Sequence, residues 1–399
     1  MSRIGISFWG LCQDFDSHRI CSVDTPDGHR YGRPILVREW LRQGHRVIAL
    51  QKFRGQTEDR FSLNFDSSQM LEYAIGGFGH SKEIANTRDS METFLGYQPA
   101  SFCLDEFPDL DIMFIEWRWS TYKNDRNNPK YDPAKYEPDL DRQLEILQHY
   151  HGKVPIILWD TDLKITAEDE LAWPLAIIAD PSLKPRRLTR DRVSLPFWTD
   201  WEQLLPTSDP YQVYGYVGNR YEREDEFKRF YYDQAKGLRG LGIQTVMYGN
   251  WLQKSPERGD PTDLIREQPD VMFGHRMGFY DSMSMMNKFI CTTHVAKQEY
   301  YQRGFLSPRY LEALAVNCPA LVPHSFFQST DQMLCRELLG PWVVAEGLDV
   351  ERHINLLSRL TVVERAEIVD GQRKSLRSMG LFDIMTAVNR IEEIARIRG

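Results

Sequence analysis

One stretch decides the fold of this chain: Ser307-Pro308-Arg309-Tyr310-Leu311-Glu312-Ala313-Leu314-Ala315-Val316-Asn317-Cys318-Pro319-Ala320-Leu321-Val322-Pro323. It predicts a helix followed by a short buried strand. Ser307 is a favourable N-cap, and Pro308 suits the first helical position because it has no N–H group to leave unpaired. Asn317 can end the helix, and the apolar run Ala320-Leu321-Val322 is typical of a buried strand.

Two charged residues make the beginning of this helix a candidate binding site. A helix N-terminus carries free N–H groups and about half a positive charge, so it attracts phosphate, and Arg309 would strengthen that attraction. Glu312 follows three residues later on the same face and could accept hydrogen bonds from the two hydroxyls of a ribose. The alternative is an ordinary helix–strand unit with an arginine and a glutamate on its surface.

Length and composition indicate a soluble protein of two domains. The chain has 399 residues, of which 42% are hydrophobic, so two separate cores are expected. No apolar run approaches the roughly 20 residues of a membrane-spanning helix, and the N-terminus does not resemble a signal peptide. Six cysteines without a Cys-x-x-Cys pair indicate reduced thiols and a cytoplasmic location. The net charge of −8 argues against a dedicated nucleic-acid binder.

Alternating strand and helix signals predict an α/β fold of two Rossmann-like, doubly wound domains. We expect residues 1–205 to form the first domain, residues 206–378 the second, and residues 379–399 a C-terminal helix that packs back toward the first. Residues 57–105 show little periodicity. In the first domain, helices are expected at Pro34–Gln43 and Pro138–Tyr150. The expected strands of that domain are Arg3–Phe8, Arg46–Leu50, Asp111–Trp117, Val154–Trp159 and Leu175–Ala179.

A second strand series begins with Tyr216-Val217-Gly218-Asn219-Arg220-Tyr221-Glu222-Arg223, a strand followed by a glycine turn and a basic segment. Gly218 would permit a close backbone approach, and the arginines would supply charge, as a pyrophosphate site requires. Together with the 307–323 stretch, this segment resembles the GT-B glycosyltransferases, enzymes with two Rossmann-like domains that face each other across a cleft and use nucleotide sugars.

The resemblance implies a donor site in the second domain for a nucleotide sugar, with a UDP-sugar favoured. Glu312 would bind the donor ribose, and Arg220 or Arg223 the phosphates. The family's frequent Gly-Arg with a nearby Lys-Gly is absent, which leaves the choice of arginine open. No metal is required by this interpretation, although a divalent metal stays an option. The full donor-binding prediction comprises Gly218, Asn219, Arg220, Arg223, His275, Arg276, Ser307, Arg309, Tyr310 and Glu312.

Three residues of the first domain are candidates for catalysis. Asp160 and Asp162 follow a predicted buried strand and could act as a base or as an anchor for acceptor hydroxyls. A structural N-cap is the alternative, and an Asp-x-Asp pair could also bind a divalent metal, as in GT-A enzymes. His29 lies in the long first loop, which faces donor and acceptor in a GT-B cleft.

Aromatic and basic residues supply the acceptor-binding candidates. Trp117 and Trp119 could stack on a base or a sugar, or could belong to the core. Arg186, Arg187 and Arg190 come from a basic cluster that is either a phosphate-contacting edge or a solvated loop.

Gly242-Ile243-Gln244-Thr245-Val246-Met247-Tyr248-Gly249-Asn250 is similar to a segment of the DNA α-glucosyltransferases of T-even bacteriophages, which glucosylate hydroxymethylcytosine. This similarity implies a hexosyl- or pentosyltransferase acting on a hydroxymethylated base in double-stranded phage DNA, in the host cytoplasm, as a monomer or weak dimer. Glycan or small-molecule acceptors, and a non-catalytic nucleotide- or nucleic-acid-binding protein of the same fold, remain alternatives. The motifs of dinucleotide oxidoreductases, P-loop enzymes, zinc proteases and α/β-hydrolases are missing.

Overall fold

The computed structural model divides the chain into two α/β units. Unit 1 consists of Met1–Asp200 with Asp383–Gly399, and unit 2 of Trp201–Phe382. The structure describes residues 1–8, 32–51, 101–103, 106–117, 133–220, 223–252, 261–274, 279–328, 342–344 and 348–396. Within these ranges, no helix is long and apolar enough to cross a membrane.

The described part of unit 1 contains one parallel sheet in the order β3-β2-β1-β4-β5-β6-β7. Its strands are β1 (Arg3–Ser7), β2 (Arg46–Ala49), β3 (Ser101–Phe102), β4 (Ile112–Glu116), β5 (Ile156–Trp159), β6 (Ile177–Asp180) and β7 (Val193–Ser194). Its helices are α1 (Gly32–Arg42), α2 (Pro133–Tyr150), α3 (Ala167–Ala172) and, after unit 2 in the chain, α13 (Ile384–Arg396). The strand order reverses between β1 and β4, which is the hallmark of a doubly wound sheet.

Local chemistry explains these elements. All five residues of β4 are buried, as expected for a parallel strand covered on both faces. Helix α1 ends at Arg42, and the chain turns at Gly44, which has a φ of +83° that costs glycine little. The N–H groups of Gly44 and His45 then bond back to the carbonyls of Leu41 and Trp40, at 2.9 and 3.0 Å. The predicted end of this helix before Gly44 is therefore confirmed.

The described residues of unit 2 form two three-stranded parallel sheets, in the orders β10-β9-β8 and β11-β12-β13. Its strands are β8 (Val213–Val217), β9 (Gln244–Tyr248), β10 (Val271–Gly274), β11 (Thr292–Thr293), β12 (Ala320–Pro323) and β13 (Val343–Val344). A parallel bridge between Tyr214 and Cys291 joins the two sheets beside β8 and β11. The strand order of unit 2 therefore reverses at β8 and β11, as that of unit 1 does at β1 and β4. The predicted doubly wound α/β architecture is confirmed for both units.

The helices of unit 2 begin with α4 (Glu224–Phe227), a π-helical turn (Lys228–Tyr232) and α5 (Asp233–Gly240). The others are α6 (Pro261–Glu267), α7 (Phe279–Asn287), α8 (Gln298–Arg303), α9 (Pro308–Ala315), α10 (His324–Gln328), α11 (Leu348–Leu357) and α12 (Val362–Ser378). Helix α9 and strand β12 are the elements that the 307–323 stretch predicts.

Asn317 ends α9 as the sequence predicts. Its φ of +57° is left-handed, a conformation that asparagine tolerates better than most residues. Its N–H donates to the carbonyl of Leu314 at 3.1 Å, and the N–H of Cys318 donates to that of Ala313 at 2.9 Å. These two bonds form a Schellman motif, which satisfies the last helical carbonyls and turns the chain toward β12.

Candidate functional site

A pocket of unit 2 lies where the strand order reverses, the place at which doubly wound sheets bind ligands. Its volume, including the mouth that opens to solvent, is about 240 Å³. Strand β8 contributes one wall, the end of β11 with the residues after it a second, and the first turn of α9 a third. The lining residues are Tyr216, Thr292, Thr293, His294, Val295, Ser307, Arg309 and Tyr310.

The N-terminus of α9 meets this pocket without a side-chain cap. Ser307 occupies the N-cap position, as predicted, but its side chain makes no capping hydrogen bond. Its hydroxyl instead lies 3.4 Å from Nδ1 of His294. Pro308 fills the first helical position and has no N–H group. The positive end of the helix is therefore not neutralised by Ser307, and it favours an anion in the pocket.

Two buried polar atoms of the pocket wall lack hydrogen-bond partners among the residues that the structure describes. His294 is 4% exposed and Tyr310 is 2% exposed. Within the described residues, neither Nε2 of His294 nor the hydroxyl of Tyr310 has a hydrogen-bond partner. Leaving such a group unpaired costs about 1–3 kcal/mol, so each atom would gain from a ligand that reaches it.

Burial keeps both side chains uncharged. Burial lowers the pKa of His294 to about 3, and the positive charge of Arg223 acts in the same direction. Burial also raises the pKa of the Tyr310 phenol. At neutral pH the pocket therefore presents a neutral imidazole and a protonated phenol, and its positive charge comes from arginines and the helix end.

Arg309 and Glu312 form an ion pair at the beginning of α9. Nη1 of Arg309 lies 2.7 Å from Oε2 of Glu312, and the two side chains are 19% and 0% exposed. The predicted placement on one helix face is correct. The Glu312 carboxylate is fully buried and paired with Arg309, however, so a ribose can reach it only after surrounding side chains move.

The two arginines that follow β8 have different surroundings. Arg220 makes a two-pronged ion pair with Glu224, at 2.6 and 2.9 Å. Arg223 donates to the hydroxyl of Tyr216 at 3.0 Å and to the carbonyl of Val295 at 3.3 Å, and both of these residues line the pocket. Arg223 is therefore the arginine whose charge lies against the pocket wall.

The glycine turns after β8 and β9 lie against each other. The N–H of Gly218 donates to the carbonyl of Tyr248 at 2.9 Å. A Cβ atom on Gly249 would lie 2.0 Å from the carbonyl oxygen of Gly218, so no other residue fits at that position. Asn219 continues the first turn, and its carbonyl accepts a 2.7 Å hydrogen bond from Arg223. These contacts hold Arg223 beside the pocket.

Comparison with known proteins rests on solved structures. No family model matches the chain, and no curated protein matches its sequence. An alpha-glucosyltransferase in complex with UDP and a 13-mer DNA containing a HMU base has 13% sequence identity and a TM-score of 0.56, over 99% of each chain. The chain has the GT-B fold. A second structure, an alpha-glucosyltransferase with UDP and a 13-mer DNA containing a central A:G mismatch, has 14% identity and a TM-score of 0.50, over 93% of this chain and 95% of that one. The predicted GT-B resemblance is confirmed at the level of the fold.

Other residues predicted from the sequence lie outside the pocket. Asp160 follows β5 and is fully buried. Its carboxylate accepts hydrogen bonds from Arg186 at 2.7 Å and Arg192 at 2.9 Å, and from the N–H of Ile165 at 3.1 Å. Burial raises the pKa of Asp160, and both arginines oppose that rise. These contacts favour a structural role for Asp160 over an acceptor-side base. Asp162 is 25% exposed and pairs with Lys164 at 2.6 Å.

Two of the three arginines predicted to bind the acceptor make contacts within unit 1. Arg186 pairs with buried Asp160, and Arg190 donates to the carbonyl of Trp173 at 2.9 Å. Arg187 is 76% exposed and lies 3.3 Å from Asp191. The proposed phosphate-contacting edge therefore has Arg187 as its exposed member among the three arginines predicted to bind the acceptor.

Trp117 is 2% exposed and packs in the core of unit 1, which agrees with the core alternative. His29, Trp119, His275 and Arg276 lie outside the described residues. No group of three or more His, Cys, Asp or Glu side chains is arranged to hold a metal ion within the part of the chain that the structure describes.

Five pocket residues were not predicted from the sequence: Tyr216, Thr292, Thr293, His294 and Val295. The signal for three of them was present, because the polar run Thr292-Thr293-His294 directly follows the apolar run Phe289-Ile290-Cys291. Polar residues at the carboxyl end of a buried strand are candidates for ligand contact in a doubly wound sheet.

Proposed function

We propose that this protein is a glycosyltransferase that transfers a sugar from a nucleotide sugar, a UDP-sugar above all, to a hydroxyl acceptor. One observation carries the proposal. The pocket at the strand reversal of unit 2 combines an uncapped helix end, Arg309 on its wall, and Glu312 one turn into the same helix. The GT-B fold supports it, because the alpha-glucosyltransferase of the same fold was solved in complex with UDP.

The diphosphate of the donor would lie in the pocket, against α9. Departure of the nucleotide leaves negative charge on its outer phosphate, and preorganised cations and dipoles stabilise such developing charge. Arg309 and the helix end would supply that stabilisation directly, and Arg223 would add to it from behind Tyr216 and Val295. Gly218 and Asn219 would hold Arg223 in place. These roles need no metal ion, since the guanidinium groups carry the charge.

The ribose of the donor would replace Arg309 as the partner of the Glu312 carboxylate. In the structure the carboxylate is held by Arg309, so nucleotide binding exchanges one ion pair for two new contacts. The phosphates would draw the guanidinium of Arg309 away, and the ribose hydroxyls would donate to the freed carboxylate. Both exchanges are charge-assisted, which offsets the cost of parting a buried ion pair.

For the acceptor we propose a hydroxymethylated base in double-stranded DNA. The similarity of residues 242–250 to the phage enzymes supports it, and so do the 13-mer DNA molecules in the two solved structures. Asp162 and Arg187 have exposed atoms, so they stay as acceptor-side candidates together with His29 and Trp119.

The test is transfer of labelled sugar from UDP-glucose and other nucleotide sugars to a duplex with hydroxymethylated cytosine or uracil. An unmodified duplex and a panel of glycans serve as comparison acceptors. We expect label on the modified duplex alone. Label on a glycan would show that the acceptor is a glycan and not the modified duplex. Salt-sensitive DNA binding without any sugar transfer or donor hydrolysis would favour the non-catalytic alternative.

The donor site is tested with Glu312→Gln, which keeps the shape and removes the charge. We expect UDP to bind about 10- to 100-fold more weakly, because hydrogen bonds to a charged group are lost. Glu299→Gln is the matched control, since Glu299 pairs with Arg303 in α8 at 3.1 Å and does not line the pocket. Equal UDP affinity of the two variants would contradict the role of Glu312.

A further inference from the structure

The polar side chains on the wall of the unit 2 pocket divide into those whose polar atoms have a partner and those with an unpartnered atom among the described residues. The hydroxyls of Thr292 and Thr293 are paired with Tyr231 at 3.2 Å and with Tyr214 at 2.6 Å. Those of Tyr216 and Ser307 contact Arg223 and His294. By contrast, Nε2 of His294 and the hydroxyl of Tyr310 have no partner among the described residues.

The two unpartnered groups are neighbours. The rings of His294 and Tyr310 meet edge to face with their centroids 5.8 Å apart, one reaching the pocket from the end of β11 and the other from the first turn of α9. Buried polar groups are nearly always hydrogen-bonded in native proteins. Two such exceptions in one pocket indicate that a ligand atom completes them.

We propose that Nε2 of His294 and the hydroxyl of Tyr310 bind a phosphate oxygen of the donor's diphosphate, and that His294 acts there as a neutral hydrogen-bonding group and not as an acid. This proposal deepens the proposed function and rests on it. The charges around the pocket favour phosphate over a sugar hydroxyl at this point, because Arg309 lines it and Arg223 contacts two of its walls.

The surroundings of His294 explain why it stays neutral. The charged residues around it are Arg223 and Arg309, and the charge of Arg309 is paired with that of Glu312 at 2.7 Å. Its aromatic neighbours with a hydroxyl are Tyr216, Tyr301 and Tyr310. Burial and the charge of Arg223 both oppose a proton on His294. The departing diphosphate is therefore stabilised by the guanidinium groups and by hydrogen bonds, without a proton from this histidine.

The experiment measures binding of inorganic pyrophosphate, and of UDP, by calorimetry to the full chain and its variants. Tyr310→Phe removes the unpartnered hydroxyl alone. His294→Asn removes Nε2 and keeps a polar atom near Nδ1, whereas His294→Gln keeps a polar atom near Nε2. We expect Tyr310→Phe and His294→Asn to bind pyrophosphate about 10- to 100-fold more weakly, and His294→Gln to retain more of the affinity.

Thermal unfolding without ligand separates this role from a structural one. Because the Tyr310 hydroxyl has no partner among the described residues, its removal should leave the melting temperature of the ligand-free protein unchanged or raise it. Tyr150→Phe in unit 1 is the matched control. The Tyr150 hydroxyl donates to the carbonyl of Pro108 at 2.7 Å. The Tyr150→Phe variant should therefore have a lower melting temperature than the wild type and bind pyrophosphate with the same affinity.

The proposal is overturned if Tyr310→Phe and His294→Asn bind pyrophosphate with wild-type affinity, or if the wild type does not bind it. It is also overturned if the variants lose affinity for UDP-glucose alone, since the two groups would then contact the sugar. Failure of the proposed function looks different: pyrophosphate binding would still depend on His294 and Tyr310, but no nucleotide sugar would be turned over.

Discussion

Three ion-paired side chains near the carboxyl end of the sheet of unit 1 can be compared with two polar side chains of the unit 2 pocket, and the two sets differ in whether their charged or polar atoms are paired. In unit 1, Arg192 lies between Asp160 and Glu170 at 2.9 and 2.8 Å, with all three side chains fully buried. In unit 2, His294 and Tyr310 are equally inaccessible but keep atoms without a partner among the described residues. A group that is satisfied internally stabilises the fold, whereas one left unsatisfied in a pocket is available to a ligand.

The comparison also shows why residue type alone is a poor guide. Arginines and aspartates after a buried strand suggested chemistry in unit 1, yet their charges neutralise one another. A histidine and a tyrosine are less conspicuous, yet they lie beside an uncapped helix end. Mutations in the first group should therefore change stability, and mutations in the second should change binding.

The largest effect is expected for Arg192→Met. This substitution removes the guanidinium that pairs with the buried carboxylates of Asp160 and Glu170. We therefore expect the free energy of unfolding to fall by about 3–5 kcal/mol. Urea-induced unfolding followed by tryptophan fluorescence measures it, since Trp159 stacks on Trp198 in the same unit. Arg187→Met is the control and should change stability by less than about 0.5 kcal/mol, because Arg187 is 76% exposed. A loss below about 1 kcal/mol for Arg192→Met would contradict the structural role.

The pH dependence of stability should reveal the neutral state of His294. The pKa of His294 is about 3 in the folded protein, against an ordinary value of 6.5. Between pH 6.5 and pH 3, His294 therefore binds a proton in the unfolded chain but not in the folded protein. Stability should fall with decreasing pH by up to about 1.4 kcal/mol per unit from this residue alone, and show no such slope above pH 6.5. His294→Gln should reduce the slope between pH 6 and pH 4, as measured by urea unfolding at each pH. Parallel curves for the two proteins would show that His294 titrates normally.

A smaller effect is expected at the N-cap of α3 in unit 1. Thr166 forms a capping box with Asp169: its side chain accepts from the N–H of Asp169 at 3.2 Å, and its own N–H donates to the Asp169 carboxylate at 2.9 Å. Thr166→Ala should reduce the free energy of unfolding by about 1 kcal/mol. Thr166→Ser, which keeps the hydroxyl, should recover most of that loss in the same urea experiment.

The smallest effect is expected at the N-cap of α9 in unit 2. Ser307 makes no capping hydrogen bond, so Ser307→Ala should change stability by less than about 0.5 kcal/mol, below the usual effect of an N-cap. Urea unfolding beside Thr166→Ala makes the comparison direct. A loss as large as that of Thr166→Ala would mean that the serine caps the helix after all.

Features set by neighbouring residues were predictable from the sequence. The bounds of α9 and the turn at Asn317 follow from a proline, an asparagine and an apolar run within seventeen residues. The same is true of β1, β2, β4 and β5, whose apolar runs are continuous because both faces are covered, whereas the two-residue strands β3 and β7 were not predicted. Arg309 and Glu312 could be predicted to lie on one helix face for this reason, since they belong to one helical turn.

Contacts between residues far apart in the chain were not predictable. Asp160 meets Arg186 and Arg192, which are 26 and 32 residues away, and nothing local indicates that all three turn inward. His294 was not predicted, because it belongs to none of the motifs that suggested a donor site, and its Nε2 becomes notable only when its surroundings are known. The complete burial of Glu312 likewise depends on side chains that packing brings over it.

The sequence by itself determined the class of fold, the limits of the central helices and strands, and the helix that begins at the pocket, because these depend on hydrogen bonds and periodicities that span a few residues. Only the tertiary structure decided which buried polar groups are paired and which are not, and that His294 is neutral. Desolvation and pairing depend on atoms that packing brings together from distant parts of the chain, so no local pattern encodes them.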